Sequence, residues 1–218
     1  MNVVFAGYRK WALDAFVEVI SRTKNQIGKP RIVSTPEELN KVKDSVILGA
    51  GWSWILPESV IEKNDVIALI HPSDLPEYAG GSPIQHQIID GIVDTKASLF
   101  KATKDLDAGP VFLKEEMSLA GNMGEIFKSL TDASVLLMTK FILSYPDLDQ
   151  VPQSLSERVV KKRLQPKDSK IERKEFESYD TKKLYNLIRC REEPYPNVYI
   201  EDEKGRLYFS KVRFDSHE

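Results

Sequence analysis

Three short apolar runs, each closed by a turn, constrain the fold of this chain most strongly: Val3–Ala6, Val46–Ala50 and Val66–Ile70. Such runs are too short for typical helices and lack the polar alternation of a half-exposed strand, so they are typical of strands buried on both faces. The first run leads through a glycine turn into a helical pattern from Trp11 to Ser21. We therefore predict an α/β fold with an open, mostly parallel Rossmann-like sheet flanked by helices.

The middle of the chain continues this alternation of strands and helices. Arg31–Val33 predicts a second strand, and Ser98–Phe100 with Val111–Lys114 predict two paired strands. The longest helical pattern runs from Asn122 to Ser144. Its core-facing stripe is predicted to consist of apolar residues at helical spacing: Ile126, Leu130, Val135, Leu136, Met138 and Ile142.

The character of the chain changes near residue 151, where a polar connecting stretch begins. We interpret Lys161-Lys162-Arg163 in this stretch as a solvated linker rather than a phosphate site. A short helix is predicted over Thr181–Arg189, followed by a hairpin that pairs Val198–Ile200 with Tyr208–Val212. These features predict one domain over residues 1–150 and, over 151–218, a linker with a small helix and β-hairpin appendage. The alternating apolar tail is compatible with a homodimer formed through the hairpin.

Length and composition indicate an ordinary globular protein of 218 residues, with 41% hydrophobic and 29% charged residues. Lysine and arginine number 31 against 33 acidic residues, a net charge of −2 that argues against a broad nucleic-acid surface. The lone Cys190 excludes an internal disulfide, and with three histidines it gives no basis for a metal site. We expect no membrane association and a cytoplasmic location, because neither a long apolar stretch nor a signal-peptide pattern is seen.

A histidine and an aspartate lie on two separate loops. His71 follows the apolar run that ends at Ile70, at the strand end where open α/β sheets place chemistry. Asp107 directly precedes the turn Ala108-Gly109-Pro110. Taken alone, such a histidine is usually a surface or satisfied residue, and such an aspartate most often caps its own turn. If the fold brings the loops together, the carboxylate would orient the imidazole or keep it charged.

The motifs around these two residues resemble those of the folate-dependent formyltransferases, the family of glycinamide ribonucleotide transformylase, methionyl-tRNA formyltransferase and the sugar N-formyltransferases. The resemblance runs in order along most of the chain. The matching segments are Val46 to Trp52, His71-Pro72-Ser73 with Leu75-Pro76, Gly80 to Gln85, Leu106 to Gly109, Leu184 to Arg189 and Pro194-Tyr195-Pro196.

The resemblance implies a formyltransferase catalytic domain over residues 1–150 and N-formyl transfer from 10-formyltetrahydrofolate to an amine. His71 would carry the proton and support the oxyanion, and Asp107 would orient His71. The pterin would lie between the segment Trp52–Leu56 and the loop Ala102–Asp105. Trp52 and Trp54 would by default be core aromatics. The cofactor-binding residues implied are Trp52, Ser53, Trp54, Leu56, Ala102, Thr103, Lys104 and Asp105.

The resemblance favours an amino sugar carried on a nucleotide as the acceptor amine. The tRNA branch carries a further C-terminal domain, and the glycinamide ribonucleotide branch generally lacks the Pro194-Tyr195-Pro196 tail. Transfer to methionyl-tRNA or to glycinamide ribonucleotide remains the alternative. The residues expected to bind the acceptor by charge, stacking or close backbone approach are Arg9, Lys10, Tyr78, Gly80, Gly81 and Tyr195.

Leu69 departs from the family pattern, which has an asparagine two residues before the histidine. A leucine side chain cannot donate a hydrogen bond to a developing oxyanion, and loss of one such donor typically lowers the rate by about 10²–10³. Either a backbone N–H near Gly80-Gly81 or the amide of Gln85 substitutes, or the chain binds folate or nucleotide without transferring a formyl group.

Overall fold

A six-stranded sheet forms the centre of the protein in the computed structural model, which describes residues 1–156 and 158–215. The strand order is β2-β1-β3-β4-β5-β6. The first four strands pair in parallel, whereas β5 and β6 are antiparallel to their neighbours, which confirms the mostly parallel sheet. The strands are β1 (Val3–Ala6), β2 (Arg31–Val33), β3 (Val46–Gly49), β4 (Val66–His71), β5 (Asp94–Lys101) and β6 (Val111–Ser118).

Helices cover both faces of the sheet. One apolar cluster packs α1 and α5 against the sheet through residues such as Phe16 and Phe141, and a second packs Leu39 of α2 and Val60 of α3 on the opposite face. Burial on both faces explains why the central strands lack polar alternation. The α-helices are α1 (Lys10–Thr23), α2 (Pro36–Leu39), α3 (Glu58–Glu62), α4 (Pro83–Ile89), α5 (Met123–Ser144), α6 (Arg173–Ser178) and α7 (Thr181–Arg189), with a 3₁₀ turn at Pro166–Ser169.

Helix α5 begins at a capping box. The Asn122 side chain accepts from the Glu125 backbone N–H, and the Glu125 carboxylate accepts from the Asn122 N–H. The predicted stripe is correct except for Leu136, which is 39% exposed, while the adjacent Leu137 is buried. Because successive helical residues are rotated by about 100°, only one of the two can face the core here.

The C-terminal part of the chain has a small apolar cluster of its own, centred on Ile171, Ile188 and Val198. Its hairpin joins β7 (Val198–Asp202) to β8 (Gly205–Phe209) in antiparallel register. The predicted second strand was placed too late, because the chain reverses within two residues and β8 already begins at Gly205. No helix in the described ranges is both long and apolar enough to cross a bilayer.

The segment that connects α5 to this C-terminal part, which we call the strap, comprises residues 151–156 and 158–164. It begins with an antiparallel bridge between Val151 and Val111, at the start of β6. It later runs parallel to Gly80, where Lys161 N donates to Ala79 O and Lys161 O accepts from Gly81 N, both at 2.8 Å. The side chains of the strap are mostly exposed, as predicted for a linker, but its backbone is bonded to the sheet domain.

Candidate active site

His71 and Asp107 meet where β4 ends and the loop after β5 turns back. Nδ1 of His71 lies 3.6 Å from Oδ2 of Asp107, and both side chains are largely shielded from solvent. The same Oδ2 accepts a hydrogen bond from the Gly80 N–H at 2.8 Å. Asp107 has a φ of 49°, a left-handed conformation that aspartate tolerates better than most residues. The two loops predicted to carry the chemistry are therefore brought together.

Both ring nitrogens of His71 face groups that only accept hydrogen bonds. Nε2 lies 2.9 Å from the carbonyl oxygen of Tyr78, and Nδ1 points toward the Asp107 carboxylate. A ring protonated on both nitrogens satisfies both acceptors, whereas a neutral ring satisfies one. Because 3.6 Å is too long for a full hydrogen bond, the Asp107 carboxylate lies near Nδ1 without being bonded to it.

The loop after His71 is held by buried polar side chains. Ser98 Oγ donates to the carbonyl of Ser73 at 2.7 Å and accepts from the Leu75 N–H at 3.2 Å. Gln87 Nε2 donates to the carbonyl of Pro72 at 2.8 Å. The Leu75 N–H also donates to the Ser73 carbonyl at 3.0 Å, so backbone and side-chain bonds together hold the loop that follows the imidazole.

The loop around Asp107 depends on one glycine and on the strap. A Cβ on Gly109 would collide with the carbonyl oxygen of Lys101, so no larger residue fits there without a backbone shift. Gln153 Nε2 donates to the carbonyls of Asp107, at 3.0 Å, and of Gly109, at 2.7 Å. Arg158 adds a hydrogen bond to the Leu106 carbonyl. Nothing in the sequence around Gln153 marks this supporting role.

A cavity of about 1010 Å³ opens beside this pair. His71 lines it, while Asp107 lies behind the imidazole and does not. This volume is at the upper end of small-molecule sites, which suits two ligands bound side by side. The wall is built from the loop after β1, the segment after β3, the start of α4, helix α5, the strap and the Pro194-Tyr195-Pro196 turn.

An aromatic group forms the wall after β3. The rings of Trp52 and Trp54 have centroids 4.9 Å apart, and the Tyr8 hydroxyl donates to Ser53 Oγ at 2.7 Å. Trp52 lines the cavity, and its buried Nε1–H has no hydrogen-bond partner in the described part of the chain. Trp54 is 43% exposed and lies outside the lining.

The second predicted folate segment lies beside this aromatic group but outside the cavity lining. Ala102 is buried and packs in one apolar cluster with Trp52 and the half-buried Leu56. Its N–H donates to Ile67 O at 2.7 Å, which continues the sheet. The next three residues turn away from the sheet: Thr103 Oγ1 donates to Asp105 O at 3.2 Å, and Lys104 and Asp105 are exposed.

The residues predicted to bind the acceptor divide into two groups. Arg9, Lys10, Gly80 and Tyr195 line the cavity, although Lys10 is highly exposed and paired with an aspartate. Tyr78 and Gly81 do not line it. The Tyr78 hydroxyl donates to an Asp90 carboxylate oxygen at 3.0 Å, and burial together with that carboxylate raises the pKa of Tyr78 to about 12.

The donors available to a developing negative charge are few. Leu69 packs between two apolar clusters and offers none. The N–H of Gly80 already donates to Asp107, and that of Gly81 to Lys161 O. Gln85 is 3% exposed and lines the cavity, and its Nε2 has no hydrogen-bond partner within residues 1–156 and 158–215. Of the substitutes considered from the sequence, the Gln85 amide is therefore the one left free.

Two arginines that the sequence interpretation did not assign also line the cavity. Arg163 belongs to the strap, in the stretch interpreted as a solvated linker, and Arg191 follows α7. Arg163 reaches the wall because the strap is bonded along the Gly80-Gly81-Ser82 loop, where Leu164 N donates to Ser82 Oγ at 3.0 Å. Pairing of this kind depends on long-range backbone geometry and leaves no local signal.

The chain is similar to known proteins over most of its length. A family model described as formyl transferase matches residues 14–131. Methionyl-tRNA formyltransferase of Syntrophomonas wolfei is 25% identical over 210 residues, which is 91% of this chain. This chain spans 65% of the length of that relative.

Solved structures of formyltransferases are also similar to this chain. Methionyl-tRNA formyltransferase from Clostridium thermocellum is 29% identical with a TM-score of 0.84, covering 99% of this chain and 94% of that one. An N-formyltransferase from Helicobacter canadensis, in complex with folinic acid and dTDP-3-aminofucose, shares the fold with a TM-score of 0.69 at 14% identity, covering 87% of this chain and 80% of that one. Because the family model matches more than half of its residues, the chain belongs to the formyl transferase family.

Proposed function

We propose that this protein is a folate-dependent N-formyltransferase that acts on the amine of a nucleotide-linked amino sugar. The observation that carries the proposal is the position of His71, which lines a large cavity while Asp107 is held 3.6 Å behind its Nδ1. A shielded imidazole backed by a carboxylate is suited to taking a proton from an amine and releasing it again.

The residues of the aromatic wall fit a pterin. Trp52 offers a flat apolar face and an unpartnered indole N–H, and a buried donor without a partner is costly unless a ligand accepts from it. The formyl donor 10-formyltetrahydrofolate would supply the group to be transferred. We assign it to the part of the cavity that Trp52 and Ser53 line, beside the 102–105 segment.

Each catalytic side chain has a distinct task in this proposal. His71 accepts the proton that the amine loses and passes it on to the leaving nitrogen. Asp107 keeps the ring oriented and stabilises its charged form, and the Gly80 N–H holds that carboxylate in place. The Gln85 amide is the donor assigned to the negative charge that develops on the formyl oxygen.

Basic and aromatic residues of the cavity support a phosphorylated acceptor. Arg9 lies with its guanidinium 5.1 Å from the centre of the Tyr8 ring, and Tyr195 also lines the cavity. The dTDP-3-aminofucose complex of the Helicobacter canadensis enzyme supports a nucleotide-linked amino sugar as the ligand class.

Methionyl-tRNA is the second candidate acceptor. It is favoured by the two relatives with that name, which are 25% and 29% identical to this chain. Family members that share a catalytic pair differ in the amine they present to it, so the catalytic geometry alone does not choose between the two acceptors.

The test is a transfer assay with purified protein and 10-formyltetrahydrofolate. Nucleotide-linked amino sugars and methionyl-tRNA are offered separately, and the release of tetrahydrofolate and the formation of N-formyl product are measured, with His71→Asn as the control. Product from an amino sugar that depends on His71 supports the proposal. If methionyl-tRNA alone gives product, the acceptor is methionyl-tRNA and not an amino sugar. If no amine gives product, the protein binds folate or nucleotide without transferring a formyl group.

A further inference from the structure

Three arginines converge on the cavity from distant parts of the chain: Arg9 from the loop after β1, Arg163 from the strap and Arg191 from the end of α7. Within the described ranges, none of the three forms an ion pair with a carboxylate. Like charges gathered in one wall repel one another unless an anion binds between them.

Arg191 is the most informative of the three because it is only 7% exposed. Its Nη1 donates to the carbonyl of Leu187 at 3.2 Å and contacts Cys190 Sγ at 3.7 Å. In the described part of the chain, its Nε and Nη2 make no hydrogen bond. Burying a guanidinium without a counter-ion is expensive, so a site of this kind is suited to an anionic ligand that completes it.

The other charges of the cavity are already neutralised. Lys10 is paired with Asp14 at 2.8 Å, and Lys128 with Asp132 at 2.7 Å. The unpaired positive charge of the wall therefore lies on the three arginines. Because guanidinium groups form forked hydrogen bonds to phosphate oxygens, their geometry favours phosphate over a single carboxylate.

Neutral donors lie next to the arginines. Burial raises the pKa of the Tyr195 hydroxyl, and the neighbouring Gln85, Arg9 and Arg163 side chains partly offset that rise. The hydroxyl therefore keeps its proton and remains a donor near neutral pH. Gln85 approaches this hydroxyl, yet its Nε2 is without a hydrogen-bond partner among the described residues.

We infer that Arg191, Arg163 and Arg9 form a subsite for the phosphoanhydride of the acceptor, with Tyr195 as a neutral donor. The inference rests on the proposed function and adds to it that the strap and the C-terminal part of the chain each supply one of the three charges. A nucleoside diphosphate is the favoured ligand over an RNA backbone, because the three charges line one cavity rather than an extended surface.

The test measures binding of ligands that cannot be formylated. Thymidine diphosphate, uridine diphosphate, inorganic pyrophosphate and thymidine are titrated into the full chain by calorimetry. Arg191→Gln and Arg163→Gln are compared with Arg22→Gln, which removes the same charge from an exposed ion pair on α1. Folinic acid is titrated into every variant to report the integrity of the folate side.

We expect both nucleoside diphosphates and pyrophosphate to bind, and thymidine to bind far more weakly. Each cavity variant should weaken diphosphate binding by about tenfold or more, as loss of a charged hydrogen bond implies. Arg22→Gln should change nothing, and folinic acid binding should be retained throughout. Arg163 is exposed, so its replacement tests the subsite even if Arg191→Gln fails to fold.

The inference is overturned if the wild-type chain binds no diphosphate, if both cavity variants bind it like the wild type, or if a tRNA acceptor stem binds where diphosphates do not. Its failure is separable from that of the proposed function. Diphosphate binding without formyl transfer to any amine would overturn the proposed function and support the subsite. Formyl transfer to an amine without diphosphate binding would support transferase activity and overturn the subsite.

Discussion

Oδ2 of Asp107 lies 3.6 Å from Nδ1 of His71 while it accepts the Gly80 N–H at 2.8 Å. The carboxylate is thus fixed by the backbone of a third loop rather than by the imidazole itself. Asp107 can therefore orient the ring without depending on the ring for its own position.

Replacing either member of this pair should lower turnover while the protein stays folded. His71→Asn removes the titrating ring, and Asp107→Asn removes the negative charge that favours its protonated form. We expect kcat to fall by at least about 10² in each case, measured by steady-state transfer assays. Thermal unfolding checks that the fold is retained, and near wild-type turnover in either variant would contradict the catalytic assignment.

Trp52 should contribute more to folate binding than Trp54. Trp52 lines the cavity, whereas Trp54 is 43% exposed and outside the lining. Trp52→Ala should weaken folinic acid binding by about 1–3 kcal/mol, measured by calorimetry, because it removes a large apolar face. Trp54→Ala is the matched control and should have a smaller effect. If both variants bind folinic acid as tightly as the wild type, the pterin does not bind against Trp52.

The Gln85 amide should matter for turnover, because the Gly80 and Gly81 N–H groups are already engaged. Gln85→Ala is expected to lower kcat at saturating acceptor by about 10²–10³, the usual effect of losing one oxyanion donor. Leu69→Asn should restore part of this loss in the double variant, which a double-mutant cycle measures. A rise in acceptor KM with kcat unchanged would instead assign Gln85 to acceptor binding alone.

Gly109→Ala should destabilise the protein and disturb the Asp107 loop. The added methyl group would collide with the Lys101 carbonyl oxygen, so the backbone must move, at a cost of about 1–3 kcal/mol. Chemical denaturation measures this change in the free energy of unfolding. Gly28→Ala is the control, because a Cβ there meets nothing within 4 Å. Similar unfolding free energies for the two variants would refute the steric requirement at Gly109.

The sequence predicts the sheet and the principal helices because these follow from local pattern. Apolar runs identify buried strands. The meeting of His71 with Asp107 is implied instead by the family resemblance of their two loops, because β4 and β5 are antiparallel and their C-terminal ends point in opposite directions. The error at Leu136 has a local cause, because Leu137 lies seven residues after the buried Leu130 and shares its face of the helix, which Leu136 does not.

Other features could not be predicted because they depend on long-range contacts. The support of the Asp107 loop by Gln153 joins residues 46 positions apart, and the Arg163 backbone reaches the cavity by following Gly81. Both contacts are made by an irregular segment whose composition resembles that of an exposed linker. Backbone pairing of this kind has no periodic signature.

The strap determines which segments of this protein could be exchanged with those of a relative without disturbing the site. Residues 14–131 match the family model, yet the loop that carries Asp107 is braced by Gln153, and the loop that carries Gly80 by Lys161. A chimera joined near residue 150 would therefore replace Gln153 and Lys161, which hold these two loops, together with the C-terminal part of the chain. Relatives that differ only after that point can differ in how the histidine and aspartate of the proposed catalytic pair are aligned, although both residues are identical.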